Sequence, residues 1–287
     1  MTKDELFEII IDKPSGNAFK KAKKRFDSLA KPIDGFGLFE DMICKIASIQ
    51  HSDRPDISKK GLVIMIADNG VISEGVSQTS SDVTLSVARL MGANRSTVGV
   101  MTKNYQVDII PVDIGIDSDE LIPKVTCMKV SHGTGNIAEE PAMTDEECMA
   151  AISAGMAAAD ICSQRGIKIV ATGEMGIGNT TTSTALFCAL SGCAVEEVTG
   201  RGAGLSDEGL QKKTDVIKRS LELHKLNNRT VNTLEKPYVF NSLKCVGGLD
   251  IAGLTGLYTR CAQLGITVVT CEGYEADDVL GTLSRIA

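Results

Sequence analysis

Ile167-Lys-Ile-Val-Ala-Thr172, then Gly173-Glu-Met-Gly-Ile-Gly-Asn-Thr-Thr-Thr182, then Ser183-Thr-Ala-Leu-Phe-Cys-Ala-Leu190 is the stretch that decides the fold. The first piece is a short apolar run and reads as a buried parallel strand. The last reads as a helix stopped near Gly192. Between them lies a turn rich in glycine and hydroxyls. Free backbone N–H groups at a helix start, with the positive end of its dipole, make an anion site. Glu174 adds an acid/base group to the same turn. The segment is not a Walker A loop, because no Gly-Lys-Ser/Thr follows the glycines. It also lacks the third glycine and the distal acidic residue of the dinucleotide fingerprint. A phosphate cradle and an ordinary strand-to-helix turn with threonine caps both fit the residues at this point.

Outward from this segment, apolar runs and helical spacing alternate. Residues 61–67, 106–113, 126–130 and 265–270 read as strands. Helices are predicted over about 81–103, 144–164, 207–226 and 245–263. The first 55 residues read as helical, interrupted by the Pro/Gly loop Lys31-Pro-Ile-Asp-Gly-Phe-Gly37. The alternation predicts an α/β chain with a doubly wound, mostly parallel sheet and a helical piece at one side. Asp68, Asp113, Glu174 and Glu272 then fall at the C-terminal strand ends, where open parallel sheets bind ligands. Capping of loop amides is the alternative role for each.

The composition narrows the classes. The 287 residues carry a net charge of −7, which argues against a nucleic-acid partner. No run reaches the roughly 18 apolar residues of a membrane span, and Met1-Thr-Lys-Asp-Glu-Leu6 lacks signal-peptide form. Nine cysteines are scattered with no CxxC pair, which fits reduced thiols in a cytoplasmic protein better than a zinc site. We expect no metal and no cofactor.

The ordered motifs resemble one family, the nicotinate-nucleotide–dimethylbenzimidazole phosphoribosyltransferases. Gly173-Glu-Met-Gly-Ile-Gly-Asn-Thr-Thr181 is similar to the family signature. Ala67-Asp-Asn-Gly-Val71 with Glu74-Gly-Val-Ser77, and Gly133-Thr-Gly-Asn136 with Glu140-Pro-Ala-Met-Thr144, match in order. Gly200-Arg-Gly-Ala-Gly-Leu205 before Asp207-Glu-Gly-Leu-Gln-Lys-Lys213, and Gly247-Gly-Leu-Asp-Ile-Ala252, complete the set. The likeness spans roughly residues 18–274. It implies a Rossmann-like large domain with a small helical subdomain, usually in a dimer. Residues 1–58 are then a helical small-domain portion and 59–287 the α/β nucleotide-binding domain, with the family's C-terminal helical portion missing.

The resemblance implies transfer of phosphoribose from nicotinate mononucleotide to a small aromatic acceptor, benzimidazole or phenol in type. The product is the lower-ligand nucleotide of cobamides. Glu174 is the expected catalytic carboxylate. Gly176, Gly178, Asn179, Thr180, Arg201, Gly202, Lys213 and Asn136 are the expected nucleotide contacts, and Ser77, Thr79, Ser80, Ser86 and Met175 the acceptor pocket. Competing roles stay open for some. Lys213 stands beside Lys212 on an amphipathic helix and suits solvent equally. Arg201 suits the carbonyls of its own loop, Asn136 a turn, and His132 a loop or packing role.

Three departures stand out. Thr79, Ser80 and Ser86 occupy the places of the family's aromatic-proline pair and glutamine, so the pocket gains hydroxyls. Asn69 replaces a histidine. The late Gly-Glu-Gly-Thr-Gly segment, whose glutamate is taken as general base, is not among these residues. The chain is incomplete, or it lacks the base, or a partner supplies it. The family includes heteromeric phenol-activating enzymes, so a base-deficient subunit of a heterodimer is the alternative to a self-sufficient transferase, which would be a homodimer. Glu272–Leu283 also resembles, over about a dozen residues, the acidic helix of polymerase-associated nucleases. We read Asp277 and Asp278 as an acidic first helical turn instead.

Overall fold

The computed structural model describes residues 1–227 and 235–269. Glu272, Asp277 and Asp278 lie outside the described residues. Five strands form: β1 (Lys60–Ala67), β2 (Val107–Gly115), β3 (Thr126–Cys127), β4 (Ile169–Met175) and β5 (Thr267–Val269). They lie in the order β3-β2-β1-β4-β5, and every neighbouring pair is parallel. The first strand is therefore central. The chain builds outward to β3, then crosses back to place β4 on the other side of β1. That reversal is the switch point of a doubly wound α/β fold, and it opens a crevice beyond the C-terminal ends of β1 and β4. The Rossmann-like reading of the sequence is the fold observed.

Eleven α-helices surround the sheet among the described residues: α1 (Lys3–Phe7), α2 (Gly16–Asp27), α3 (Leu38–Ile49), α4 (Asp82–Gly92), α5 (Thr97–Thr102), α6 (Asp145–Gln164), α7 (Asn179–Ser191), α8 (Val195–Val198), α9 (Asp207–Leu223), α10 (Lys236–Val246) and α11 (Leu249–Gln263). Strand β1 alternates between two apolar layers. Leu62, Ile64 and Ile66 face α4 with Ala88 and Ile116. Val63, Met65 and Ala67 join the larger core with α6, α7, α9, α10 and α11. Burial on both faces is why the strand reads as a continuous apolar run.

Helices α6 and α11 cross with almost no side chain between them. A Cβ on Gly155 would lie 1.7 Å from the Gly253 carbonyl oxygen, and one on Gly256 would lie 1.8 Å from that of Ile152. The start of α6 is a full capping box: Thr144 Oγ1 accepts from the Glu147 amide, and Glu147 accepts from the Thr144 amide. Helix α1 packs on α10, with Phe7 edge-on to Phe240 at 6.2 Å. Helices α2 and α3 form a hairpin with its own small core of Ala22, Cys44 and Ala47.

Three sequence expectations need correction. The helix predicted over 81–103 is two helices, because Asn94 takes φ 55° and Ser96 caps a new start by accepting from the Gly99 amide. The helix predicted over 245–263 is broken at Gly247-Gly248, and α10 precedes it. Helix α7 begins at Asn179 rather than Ser183, so the threonines form its first turns. Among the described residues, no helix is long and apolar enough to cross a membrane.

Candidate active site

The crevice is built from loops that lock together at backbone level. After β1, Asp68 accepts from the Thr134 amide through its carbonyl (3.2 Å), and its own amide donates to the Gly115 carbonyl (2.9 Å). The Gly70 amide donates to Thr134 Oγ1 at 3.1 Å. A Cβ on Gly70 would lie 2.4 Å from the Thr134 carbonyl oxygen. The segments 67–71 and 133–136 are thus two halves of one rim. Across the crevice, Gln78 Nε2 donates to the Gly204 carbonyl and ties the 75–80 loop to the glycine loop 200–205.

At the centre, β4 carries Glu174 and Met175 within the strand itself rather than in the following turn. Glu174 lies opposite Met65 in register, and Met175 opposite Ile66. Met175 is partly buried and packs against the apolar layer under α4. The chain then turns through Gly176. A Cβ there would sit 2.0 Å from the Ala67 carbonyl oxygen, so only glycine lets the turn lie against β1. Gly178 takes φ 92° at the N-cap of α7. No side chain caps this helix; the Asn179 amide donates to the Gly176 carbonyl (3.1 Å) and the Thr181 amide to that of Gly178 (2.9 Å).

Lys213 reaches this helix start from α9. It is 1 % exposed, and its ammonium donates to Thr180 Oγ1 (2.8 Å) and to the Gly200 carbonyl (3.1 Å). The solvent-facing alternative for Lys213 is therefore wrong; its neighbour Lys212 is the exposed one. Gly202 closes over the pair, with its Cβ position 3.1 Å from Thr180 Oγ1 and 3.7 Å from Lys213 Nζ. A buried ammonium beside the positive end of a helix creates a strongly anion-favouring point.

Asn179, the first residue of α7, is buried. Its Nδ2 donates to Glu174 Oε2 and lies 3.4 Å from Asp250 Oδ2. Asp250 is fully buried at the start of α11, and burial pushes its carboxyl up to about 6, against the opposing pull of the Ile251 amide and Asn179. Sequence reasoning assigned Asp250 no role. The signal was there, since it is the lone charge in the apolar run Leu249–Leu254. Asn69 and Thr84 were missed as braces of the turn. Asn69 accepts from Thr182 Oγ1 at 3.3 Å, and Thr84 Oγ1 accepts from the Ile177 amide at 3.1 Å.

Other expected contacts stand apart from this centre. The Arg201 guanidinium turns onto its own loop, donating to the Leu205 carbonyl (2.9 Å) and pairing with Asp207. That is the loop-satisfying role rather than a reach into the crevice. Asn136 donates to Glu74 Oε1 (2.8 Å), and Glu74 pairs with Arg219 (2.6 Å), which makes Asn136 part of the rim. The Asn136 hydrogen bond, ahead of the Arg219 ion pair, holds the Glu74 carboxyl below its ordinary range. Asp113 accepts from the amides of Gly115 and Ile116 and pairs with Lys129, so it caps a turn. Asp68 accepts from the Asp117 amide, and burial raises its carboxyl. His132 lies half exposed between Asp117 and Asp119, a loop position. Thr79, Ser80 and Ser86 are exposed and Ser77 is half-buried at the mouth.

Comparison with known proteins shows the family. A family model described as "Phosphoribosyltransferase" matches residues 11–273. The nicotinate-nucleotide–dimethylbenzimidazole phosphoribosyltransferase of Acetivibrio thermocellus is 39 % identical over 248 residues, covering 86 % of this chain and 68 % of that protein. The protein of the same name from Pseudomonas putida is 36 % identical over 253 residues, covering 88 % and 70 %. The crystal structure of CobT from Thermus thermophilus superposes with a TM-score of 0.85 at 29 % identity, covering 94 % of this chain and 78 % of that one. The uncapped helix start, the buried lysine and the carboxylate beside them thus stand in a chain that belongs to the phosphoribosyltransferase family of the nicotinate-nucleotide–dimethylbenzimidazole enzymes.

Proposed function

We propose that the crevice transfers phosphoribose from nicotinate mononucleotide to a small aromatic acceptor, a benzimidazole or a phenol, and releases nicotinate. One observation carries this reading: the Lys213 ammonium is buried against Thr180 on the first turn of an uncapped helix, one residue beyond Asn179, which holds Glu174. The 5′-phosphate takes the helix start, with donors from Gly176, Gly178, Thr180 and Gly202 and the charge of Lys213. Arg201 and Asn136 hold the loops that border it.

The chemistry then needs charge control at C1′. As the bond to the nicotinate nitrogen breaks, positive charge grows on the ribose. Glu174 is the carboxylate next to the phosphate point and stabilises that charge. The acceptor enters over Met175, past Ser77, Thr79, Ser80 and Ser86, and attacks from the opposite face. Its nitrogen or oxygen forms the new bond to C1′, nicotinate leaves with the electron pair, and the acceptor's proton passes to a base. Inversion follows from a single displacement. The active assembly is a dimer, with a second copy or with a related chain.

The test is nicotinate release by the purified chain with dimethylbenzimidazole, phenol or p-cresol. We expect release with at least one acceptor, together with a riboside phosphate of matching mass. Glu174→Gln should keep the KM for nicotinate mononucleotide within about threefold and lower kcat on the order of 100-fold. No release under any pairing, with a related chain added, would overturn the reading. Normal turnover by Glu174→Gln would instead remove the catalytic role of Glu174.

A further inference from the structure

We propose that Asp250 is a positioning residue: it locks the Asn179 side-chain amide with its nitrogen toward Glu174, and so sets the orientation of the Glu174 carboxylate. The geometry is specific. Asn179 Nδ2 carries two hydrogens, and two carboxylates face that one nitrogen, Glu174 Oε2 as hydrogen-bond acceptor and Asp250 Oδ2 at 3.4 Å. An ionised carboxylate only accepts, so either acid favours the nitrogen there, and both together forbid the flipped amide. Asp250 is itself enclosed and bonded. It is 0 % exposed, its Oδ1 accepts from the Ile251 amide at 2.9 Å, and it sits in the first turn of α11 at the helix's positive end. Space is kept for it as well, because a Cβ on Gly248 would lie 2.2 Å from Asp250 Oδ1.

The amide bridge matters because Glu174 must present one face to C1′. A carboxylate turned away by about an ångström loses on the order of 100-fold in rate. Asp250 never meets the substrate in this arrangement. It acts through Asn179, from behind the anion point, on a side chain at the end of β4. A buried carboxylate in an otherwise apolar helix start is costly to the fold, and a leucine-sized apolar residue would fill the place more cheaply. The hydrogen-bond direction it imposes is what that residue type contributes.

Asp250→Asn tests the idea. An asparagine that accepts from the Ile251 amide must aim its own nitrogen at Asn179 Nδ2, so the Asn179 amide flips and Glu174 faces an oxygen. We expect kcat to fall roughly 10- to 100-fold, with KM for nicotinate mononucleotide within about threefold. Asn179→Ala should lose a similar factor, and the double variant no more than the worse single one. A purely structural role predicts multiplied losses that follow the melting temperature. Turnover rests on the proposed transfer, so a second readout is independent of it: the side-chain amide signals of Asn179 in protein labelled with 15N-asparagine. These should shift in both Asp250→Asn and Glu174→Gln. If parent protein releases no nicotinate, the transfer reading fails while the amide signals still decide this one. Unmoved Asn179 signals in Asp250→Asn, or additive losses in the double variant, overturn the proposal.

Discussion

Gly176→Ala should separate catalysis from stability more sharply than any other single change. The added Cβ would lie 2.0 Å from the Ala67 carbonyl oxygen and 3.0 Å from Asn69 Nδ2. Carbon and carbonyl oxygen rest at about 3.3 Å, so the overlap is roughly 1.3 Å. Ala67 cannot yield, because it ends the central strand and is fully buried. The turn 176–178 must rise instead by about an ångström, and it carries the start of α7 with it. A displacement of that size costs on the order of 100-fold in kcat/KM. The stability cost is that of one overpacked methyl, about 1–3 kcal/mol, or about 2–4 °C in Tm for each kcal/mol. Nicotinate-release kinetics and a thermal melt give both numbers. Gly16→Ala is the control, since nothing lies within 4 Å of its Cβ position. Gly176→Ala turning over within threefold of the parent would refute the placement of the anion point at this turn.

Other outcomes follow from the same contacts. Lys213→Met should weaken nicotinate mononucleotide binding by roughly 10- to 100-fold, the worth of a charged hydrogen bond, as read by calorimetric titration. Thr144→Ala, which removes the cap of α6, should cost about 1 kcal/mol in urea unfolding and leave kcat alone. Asp250 gives a pH signature. Its carboxyl is pushed from 3.8 up to about 6 by burial. The folded state therefore holds this proton more tightly, and the stability it contributes is full below about pH 4 and lost as pH rises through about 6. The stability of Asp250→Asn relative to the parent should rise by about 3 kcal/mol between about pH 4 and pH 7. A flat difference across that range would show that Asp250 is not buried as described.

The parts legible in the sequence were those with a local physical cause. Strand β1 announced itself because both faces are buried, and α6 because Thr144 and Glu147 form a cap within four residues. The break after α4 was less visible. Asn94 at φ 55° and Ser96 as a new cap are turn chemistry inside a run that still keeps helical spacing. Helix α7 starts early because its threonines bond back along the helix, Thr182 to the Asn179 carbonyl and Thr184 to that of Thr180. Residue type alone suggested a turn there. Lys212 and Lys213 are adjacent and chemically alike, yet one is exposed and the other 1 % exposed. About 100° of helix rotation separates them, and which face meets Thr180 is set by tertiary packing. Asp250 and Asn179 are 71 residues apart, a pairing that no local pattern encodes.

The two sides of the crevice are constrained to very different degrees. Around the start of α7, each placed group is held by at least one other. Gly176 lies against Ala67, Ile177 is held by Thr84, Asn179 by Asp250, and Thr180 by Lys213. Change at any of these positions breaks a buried contact and disturbs its neighbours, because strain passes through a close-packed interior. The mouth is different. Thr79, Ser80 and Ser86 are exposed, and the Ser80 hydroxyl donates to its near neighbour Asp82. Substitution there alters the surface an acceptor meets without moving the anion point. The hydroxyls of Thr79, Ser80 and Ser86 offer hydrogen bonds rather than aromatic stacking. Placing an aromatic side chain at Thr79 should therefore change the ratio of kcat/KM values between dimethylbenzimidazole and p-cresol while the KM for nicotinate mononucleotide stays fixed. A shift in the nucleotide KM instead would mean that the two sides are coupled, and that the mouth cannot be treated as a separate determinant of acceptor choice.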